Sequence, residues 1–304
     1  MDKNKLAIGT VQFGMNYGVS NKIGETHENE VGEILQYAYE QGVNMLDTAP
    51  SYGRSEGVIG EFICNHINSM CWNVVTKTPS FEGDIICNQQ INELHNSFEL
   101  SKKRLGQKMV YGLLLHNCNN LFLPGGDKLL QAMEELKQDG FIKKIGVSLY
   151  SGEQIDRVLD NYHIDLVQLP VNILDQRLLN SGHLKRLKNS NVEIHARSIF
   201  LQGLLLMPPK DISLWFDPIR PTLVDFHKEA KKLNMNTLQL ALNFVQSISE
   251  IDKVVIGVNT QSQLHEIIKA TSTYIDINKL SDFSISNPVF LNPSNWRIYS
   301  TPTN

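Results

Sequence analysis

Short apolar runs alternate with amphipathic stretches along this chain, and the alternation repeats about eight times. The runs predict strands at Leu6–Gly9, Val43–Asp47, Trp72–Lys77, Val110–His116, Lys144–Ser148, Leu166–Leu169, Glu193–Ser198 and Val254–Gly257. They are short, apolar and often β-branched, the pattern of strands buried on both faces. The stretches between them predict helices over Glu30–Gln41, Ser55–Asn65, Gln89–Leu105, Lys128–Asp139, Gly152–Leu159, Leu178–Lys188, Pro221–Leu233 and Gln261–Thr271. Thr26 is placed to cap the first helix, with Glu28 and Glu30 complementing its dipole. Gly42 and Gly140 follow helices where a left-handed residue is wanted.

This rhythm predicts an α/β fold, a closed (β/α)8 TIM barrel in one domain with its active site at the C-terminal ends of the strands. A doubly wound open sheet is the competitor, and it usually carries a glycine signature at its first strand–helix turn. Here that turn reads GTVQFGMNYG, with Gly9, Gly14 and Gly18 at the wrong spacing, and it continues for about a dozen residues before a helix begins. The barrel is expected over about residues 5–271, with a loop and tail at 272–304. Three segments depart from the repeat. Met207–Pro221 is a long aromatic loop, Met235–Ser249 an extra helix, and Asn287–Asn304 a tail carrying Phe290, Trp296 and Tyr299. Long loops at the C-terminal face shape active sites, though simple packing over the rim is an equal expectation.

Composition narrows the function classes. The 304 residues are 41% hydrophobic and 20% charged, as in ordinary globular proteins. A net charge of -4 and a pI near 6.1 offer no general attraction for nucleic acid or acidic membranes. No apolar stretch approaches the ~18 residues of a membrane span, and the N-terminus lacks a signal-peptide core. The cytoplasm is the expected location. Cys64, Cys71, Cys87 and Cys118 form no C-x-x-C pair, and His265-Glu266 is not followed by a second His at metal spacing. No metal is expected.

Candidate chemistry lies at the strand ends. Asp47, Lys77 and His116 each follow an apolar run, and Tyr52 stands five residues after Asp47 in the turn TAPSYGRSE. A barrel would bring these ends to one face. A free tyrosine titrates near 10, a poor match to acid–base work at neutral pH. A neighbouring ammonium favours the phenolate. A carboxylate beside the ammonium keeps it charged, and an imidazole supplies a hydrogen bond to a substrate oxygen. Such a set can donate a proton to a carbonyl becoming an alkoxide, or take one from an alcohol. Singly, each residue also reads as a cap, a rim aromatic, a solvated strand end or a structural histidine.

The segments LDTAPSYGRSEGVIGEF, VVTKTP and LLLHNC resemble the catalytic motifs of the aldo-keto reductase superfamily, barrels that reduce aldehydes and ketones with a nicotinamide cofactor. The resemblance runs from about Leu6 to Thr271 and includes GVSLYS, VQLPVN, ARSIFLQGLL and VVIGVNTQSQL. It implies Tyr52 as general acid, Lys77 as its partner, Asp47 as partner of Lys77, and His116 as the group orienting the carbonyl. It also implies that Gly9 and Thr10 border the cofactor and that Ser148 and Gln168 hold the nicotinamide carboxamide. Arg197 falls where many relatives place a stacking aromatic ring. Ser198, Phe200 and Gly203 would follow the pyrophosphate, with Gly257, Asn259, Thr260, Gln263 and Glu266 toward the adenosine. The opening segment is also similar to aldo-keto reductases of bacterial surface-polysaccharide synthesis.

Two positions depart from that pattern. Leu149 stands where many relatives place a polar carboxamide contact. Gly257, Val258, Asn259, Thr260 and Gln263 are uncharged where NADP-preferring relatives place Lys or Arg, so NAD(H) is expected alongside NADP(H). Phe13, Tyr17, Asn117, Trp215, Phe216 and Trp296 are the expected substrate pocket. Asn117 and Arg197 point to a small polar or anionic carbonyl substrate, a sugar or sugar nucleotide. Alternatives are a redox-neutral sugar-modifying enzyme that keeps its cofactor, or a non-enzymatic NADP(H)-sensing subunit, since potassium-channel β subunits resemble this fold. Oligomeric state and reaction direction are not encoded legibly.

Overall fold

The computed structural model describes residues 5–66, 70–271 and 275–296. Eight parallel strands close into a barrel in chain order: β1 (Leu6–Gly9), β2 (Met45–Asp47), β3 (Asn73–Lys77), β4 (Val110–Leu115), β5 (Ile142–Ser148), β6 (Leu166–Pro170), β7 (Glu193–Arg197) and β8 (Lys253–Gly257). β8 pairs back onto β1 from Leu6↔Val254 to Gly9↔Gly257. The predicted strands are all present, with ends shifted by a few residues. The largest trim is at β2, where Val43 is buried but lies ahead of the paired segment.

The helices are α1 (Glu28–Glu40), α2 (Ser55–Asn65), α3 (Asn88–Leu105), α4 (Asp127–Gln138), α5 (Gly152–Asn161), α6 (Arg177–Asn180), α7 (His183–Asn189), α8 (Arg220–Lys232), α9 (Thr237–Gln246), α10 (Gln261–Ala270) and α11 (Pro288–Leu291). Two expectations are corrected here. The helix over Leu178–Lys188 is two short helices, because Gly182 between them is left-handed at φ 78°. Thr26 does not cap α1: His27 does, its Nδ1 accepting from Asn29 N. Thr26 is buried instead, and its hydroxyl accepts from Asn259 Nδ2.

The period of two along each strand decides which side chains face the barrel axis. Ala7, Met45, Val75, Leu114, Leu166 and Val255 form one apolar cluster of their own, separate from the larger core between strands and helices. Counting two residues onward gives Gly9, Asp47, Lys77, His116, Gln168 and Gly257. Polar groups therefore replace apolar ones along the same inward rows, all at the C-terminal end. At the opposite end Glu193 accepts from the Tyr111 hydroxyl at 2.7 Å and pairs with Lys144 and His195. Burial works against the Glu193 charge, but these three donors hold its carboxyl down to about 2.

Candidate active site

Lys77 is almost fully buried, and its Nζ donates to Asp47 Oδ1 at 2.9 Å, Asp47 Oδ2 at 3.0 Å and the Thr48 carbonyl at 2.9 Å. Burial disfavours the ammonium, but the Asp47 carboxylate and Tyr52 outweigh it and raise the Lys77 pKa above the ordinary lysine value. The same Nζ lies 4.9 Å from the centre of the Tyr52 ring. His116 meets that ring edge-on, with centres 6.4 Å apart. Burial first, then the positive charge of Lys77, lowers His116 to about 4, so its imidazole is neutral around pH 7.

Local sequence fixes these positions. The Thr10 hydroxyl donates to the Asp47 carbonyl at 2.9 Å, and the Ser55 hydroxyl sits 2.8 Å from Thr10 Oγ1. Tyr52 is seated by close backbone approach: a Cβ at Gly14 would lie 2.1 Å from the Tyr52 carbonyl oxygen. Gly14 and the Gly53 that follows Tyr52 are thus required by packing, since Gly53 also approaches Gly14 and has φ of 57°.

A cavity of about 680 Å³ runs from Tyr52, Lys77 and His116 to Gly257, Asn259, Gln263 and Glu266. Gly9, Thr10, Ser148, Gln168, Arg197, Ser198, Phe200 and Gly203 line it as well. Its size lies within the range for small-molecule and cofactor sites. Gln12 Oε1 in its wall is buried without a hydrogen-bond partner, an acceptor suited to a bound donor. Thr260 is not in the wall; its hydroxyl caps α10 by accepting from Gln263 N.

The loop from Asn16 to Thr26 straps this cavity. Val19 N donates to the Gln202 carbonyl, and Gln202 Nε2 to the Tyr17 hydroxyl, both at 3.1 Å. Asn259 Nδ2 holds the far side, donating to the Gly24 carbonyl and Thr26 Oγ1 at 3.1 Å each. Ser20 seats against Gly203, where φ is 90° and a Cβ would lie 1.8 Å from Ser20 Oγ. Sequence reasoning misses Gln12, Ser20, Lys22 and Tyr150, all in the wall. The signal available for Gln12, Ser20 and Lys22 is the long stretch between the first strand and its helix.

Most of the residues expected to form the substrate pocket lie outside this cavity. Of the six residues only Tyr17 lines the cavity. Phe13 is wholly buried in the core after β1. The Asn117 side chain caps the following turn by accepting from Asn119 N. Trp215, Phe216 and Trp296 pack on one another and on Phe290, with Trp215–Phe216 and Phe216–Trp296 centres 4.9 and 4.8 Å apart. These rings satisfy each other's burial within the core; Tyr299 lies outside the described residues. Among those residues no cluster suited to a metal occurs, and no helix is long and apolar enough to cross a membrane.

Comparison with known proteins follows the same lines. Residues 5–286 match the sequence model of the Aldo/keto reductase family. An uncharacterized oxidoreductase of Bacillus subtilis is 24% identical over 285 residues, spanning 90% of this chain and 88% of that protein. The L-galactose dehydrogenase of Arabidopsis thaliana is 25% identical over 286 residues, spanning 88% of this chain and 85% of that enzyme. Among solved structures, an aldo-keto reductase from Bacillus halodurans in its holo form superposes with a TM-score of 0.71. It is 20% identical and covers 92% of this chain and 90% of that one.

Proposed function

The chain belongs to the aldo/keto reductase family of nicotinamide-dependent oxidoreductases, and from that premise we propose that it interconverts a carbonyl and an alcohol on a small polar substrate, with Tyr52 as proton donor and acceptor. The carrying observation is the buried Lys77 ammonium, fixed by Asp47 and Thr48 and set 4.9 Å from the Tyr52 ring. The long cavity fits a dinucleotide, which when bound supplies the hydride. Ser148 and Gln168 orient its nicotinamide end, while Gly257, Asn259, Gln263 and Glu266 border its adenosine end.

Tyr52 passes its hydroxyl proton to the carbonyl oxygen, and Lys77 stabilises the phenolate that remains. Neutral His116 holds the same oxygen through a ring N–H, which aligns the carbonyl for attack. The strap from Asn16 to Thr26 excludes water from the phosphates. NAD(H) is accepted alongside NADP(H), because Gly257, Val258, Asn259, Thr260 and Gln263 carry no cation for a 2′-phosphate, while on the strap Lys22 offers one. A sugar substrate accords with the L-galactose dehydrogenase relative. We place the protein in the cytoplasm.

The test is a turnover screen of aldoses, keto-sugars and simple aldehydes with NADH and NADPH, followed at the reduced-nicotinamide absorbance band. Reduction with net cofactor oxidation supports the reading. Product without any net absorbance change would instead indicate redox-neutral chemistry. A strong NADPH advantage in binding would overturn the cofactor assignment.

A further inference from the structure

Arg197 ends β7 on the inward row that begins with Glu193 and His195. Its guanidinium carbon lies 4.3 Å from the centre of the Tyr150 ring, so one flat face is covered. Nη1 donates to Ser198 Oγ at 3.3 Å, and Nη2 is buried without any partner. Among the described residues no carboxylate pairs with Arg197 or with Arg157, which lies over the Phe122 ring outside the cavity, whereas Arg54, Arg104, Arg177, Arg186 and Arg220 each have at least one such partner. A guanidinium stays charged at any ordinary pH. A partly buried one without a counter-charge is costly unless a ligand supplies the charge.

The other charges at this end of the cavity already cancel. Lys77 is matched by Asp47, and His116 is neutral. Arg197 therefore contributes a net positive charge beside the carbonyl site, and its field is among the causes that keep His116 neutral. The Tyr150 ring occupies one side of the guanidinium, and the unpartnered Nη2 is the donor an oxyanion can meet.

Building on the carbonyl–alcohol reading above, we infer that Arg197 is the anion subsite of the substrate pocket, taking a carboxylate or phosphate carried on the same molecule as the reacting carbonyl. The substrate is then an acidic sugar or hydroxy-aldehyde, not a neutral one. The dinucleotide's pyrophosphate is the competing anion. Against it stands the position of Arg197 beside Tyr150 and close enough to His116 for its field to act on that ring, at the catalytic end of the cavity.

Two measurements on the protein saturated with cofactor test this. The first compares kcat/KM within pairs that differ only by the anion: glucose with glucuronate, and glyceraldehyde with glyceraldehyde 3-phosphate. The wild type should prefer the acidic member of at least one pair by about tenfold or more, the two pairs separating carboxylate from phosphate. Arg197→Gln should erase that preference chiefly through KM, and Arg197→Lys should restore part of it. The second measures calorimetric binding of gluconate and inorganic phosphate, which needs no turnover. Binding of either that weakens at least about tenfold in Arg197→Gln supports the subsite even if the carbonyl reading fails. The inference is overturned if the wild type binds neither anion and shows no acidic preference. It is equally overturned if Arg197→Gln weakens cofactor binding while the substrate ratio stays unchanged.

Discussion

Gln168 donates from Nε2 to Asp47 Oδ1 at 2.6 Å, onto the same oxygen that accepts from Lys77 Nζ at 2.9 Å. A carboxylate oxygen can only accept, so this contact fixes which way the Gln168 amide points and leaves its Oε1 as the free acceptor. One residue thus steadies the ion pair and presents an acceptor that suits the NH2 of a carboxamide. Gln168→Leu is expected to weaken binding of reduced cofactor by about tenfold, as loss of one hydrogen bond with a partly charged network would. Titration of nicotinamide fluorescence checks this; unchanged affinity would remove Gln168 from the cofactor site.

The Lys77–Asp47 pair is buried on both sides, at 1% and 6% side-chain exposure. Removing one partner strands the other charge, so Lys77→Met should lower stability by about 3–5 kcal/mol. Adding Asp47→Asn should recover a measurable part, because the stranded charge disappears. Urea unfolding of the single and double variants measures the coupling; additive losses would show that the pair is not energetically linked.

His116 has a clear pH signature. Its pKa falls to about 4 in the folded chain from an ordinary value of 6.5. Between those values the unfolded chain binds more protons, so stability rises with pH through this window and is level above it. Acidification from 6.5 to 4 should therefore cost about 3 kcal/mol at most through this one group. Urea midpoints of His116→Asn should fall less steeply over the same window. An identical slope in both proteins would contradict the assigned direction.

The strap depends on a glycine at 203. With φ at 90° and Ser20 Oγ only 1.8 Å from where a Cβ would stand, Gly203→Ala forces the strap outward. Cofactor dissociation, followed by stopped-flow displacement, should speed up by about tenfold or more, whereas a strap that plays no part in retention would leave it unchanged. Ser20→Gly added to Gly203→Ala should restore part of the slow release, because it removes both the Oγ and the Cβ that the new methyl would meet at 1.8 and 2.7 Å.

Strand ends are legible in this sequence because apolar runs stop where Asp47, Lys77 and His116 begin, and the barrel parity then carries all three inward. Tyr52 is legible through its glycine-flanked turn. The aromatic loop and tail mislead, because Trp215, Phe216 and Trp296 are as suited to packing on one another as to lining a pocket. Only tertiary contacts decide that choice. The strap is hidden for a related reason: its ties run from Val19 and Tyr17 to Gln202 and from Gly24 to Asn259, contacts between segments far apart in the chain. The same holds for Arg197, whose lack of a carboxylate partner among the described residues is visible only in the folded chain.

Tyr52→Phe tests the central claim most directly. The substitution removes one oxygen and leaves the ring against Lys77 and His116. Cofactor binding should stay within about threefold of wild type, while turnover of any reduced substrate should fall by about 10²–10⁴-fold, the usual contribution of a positioned acid. Full turnover in Tyr52→Phe would contradict the account outright.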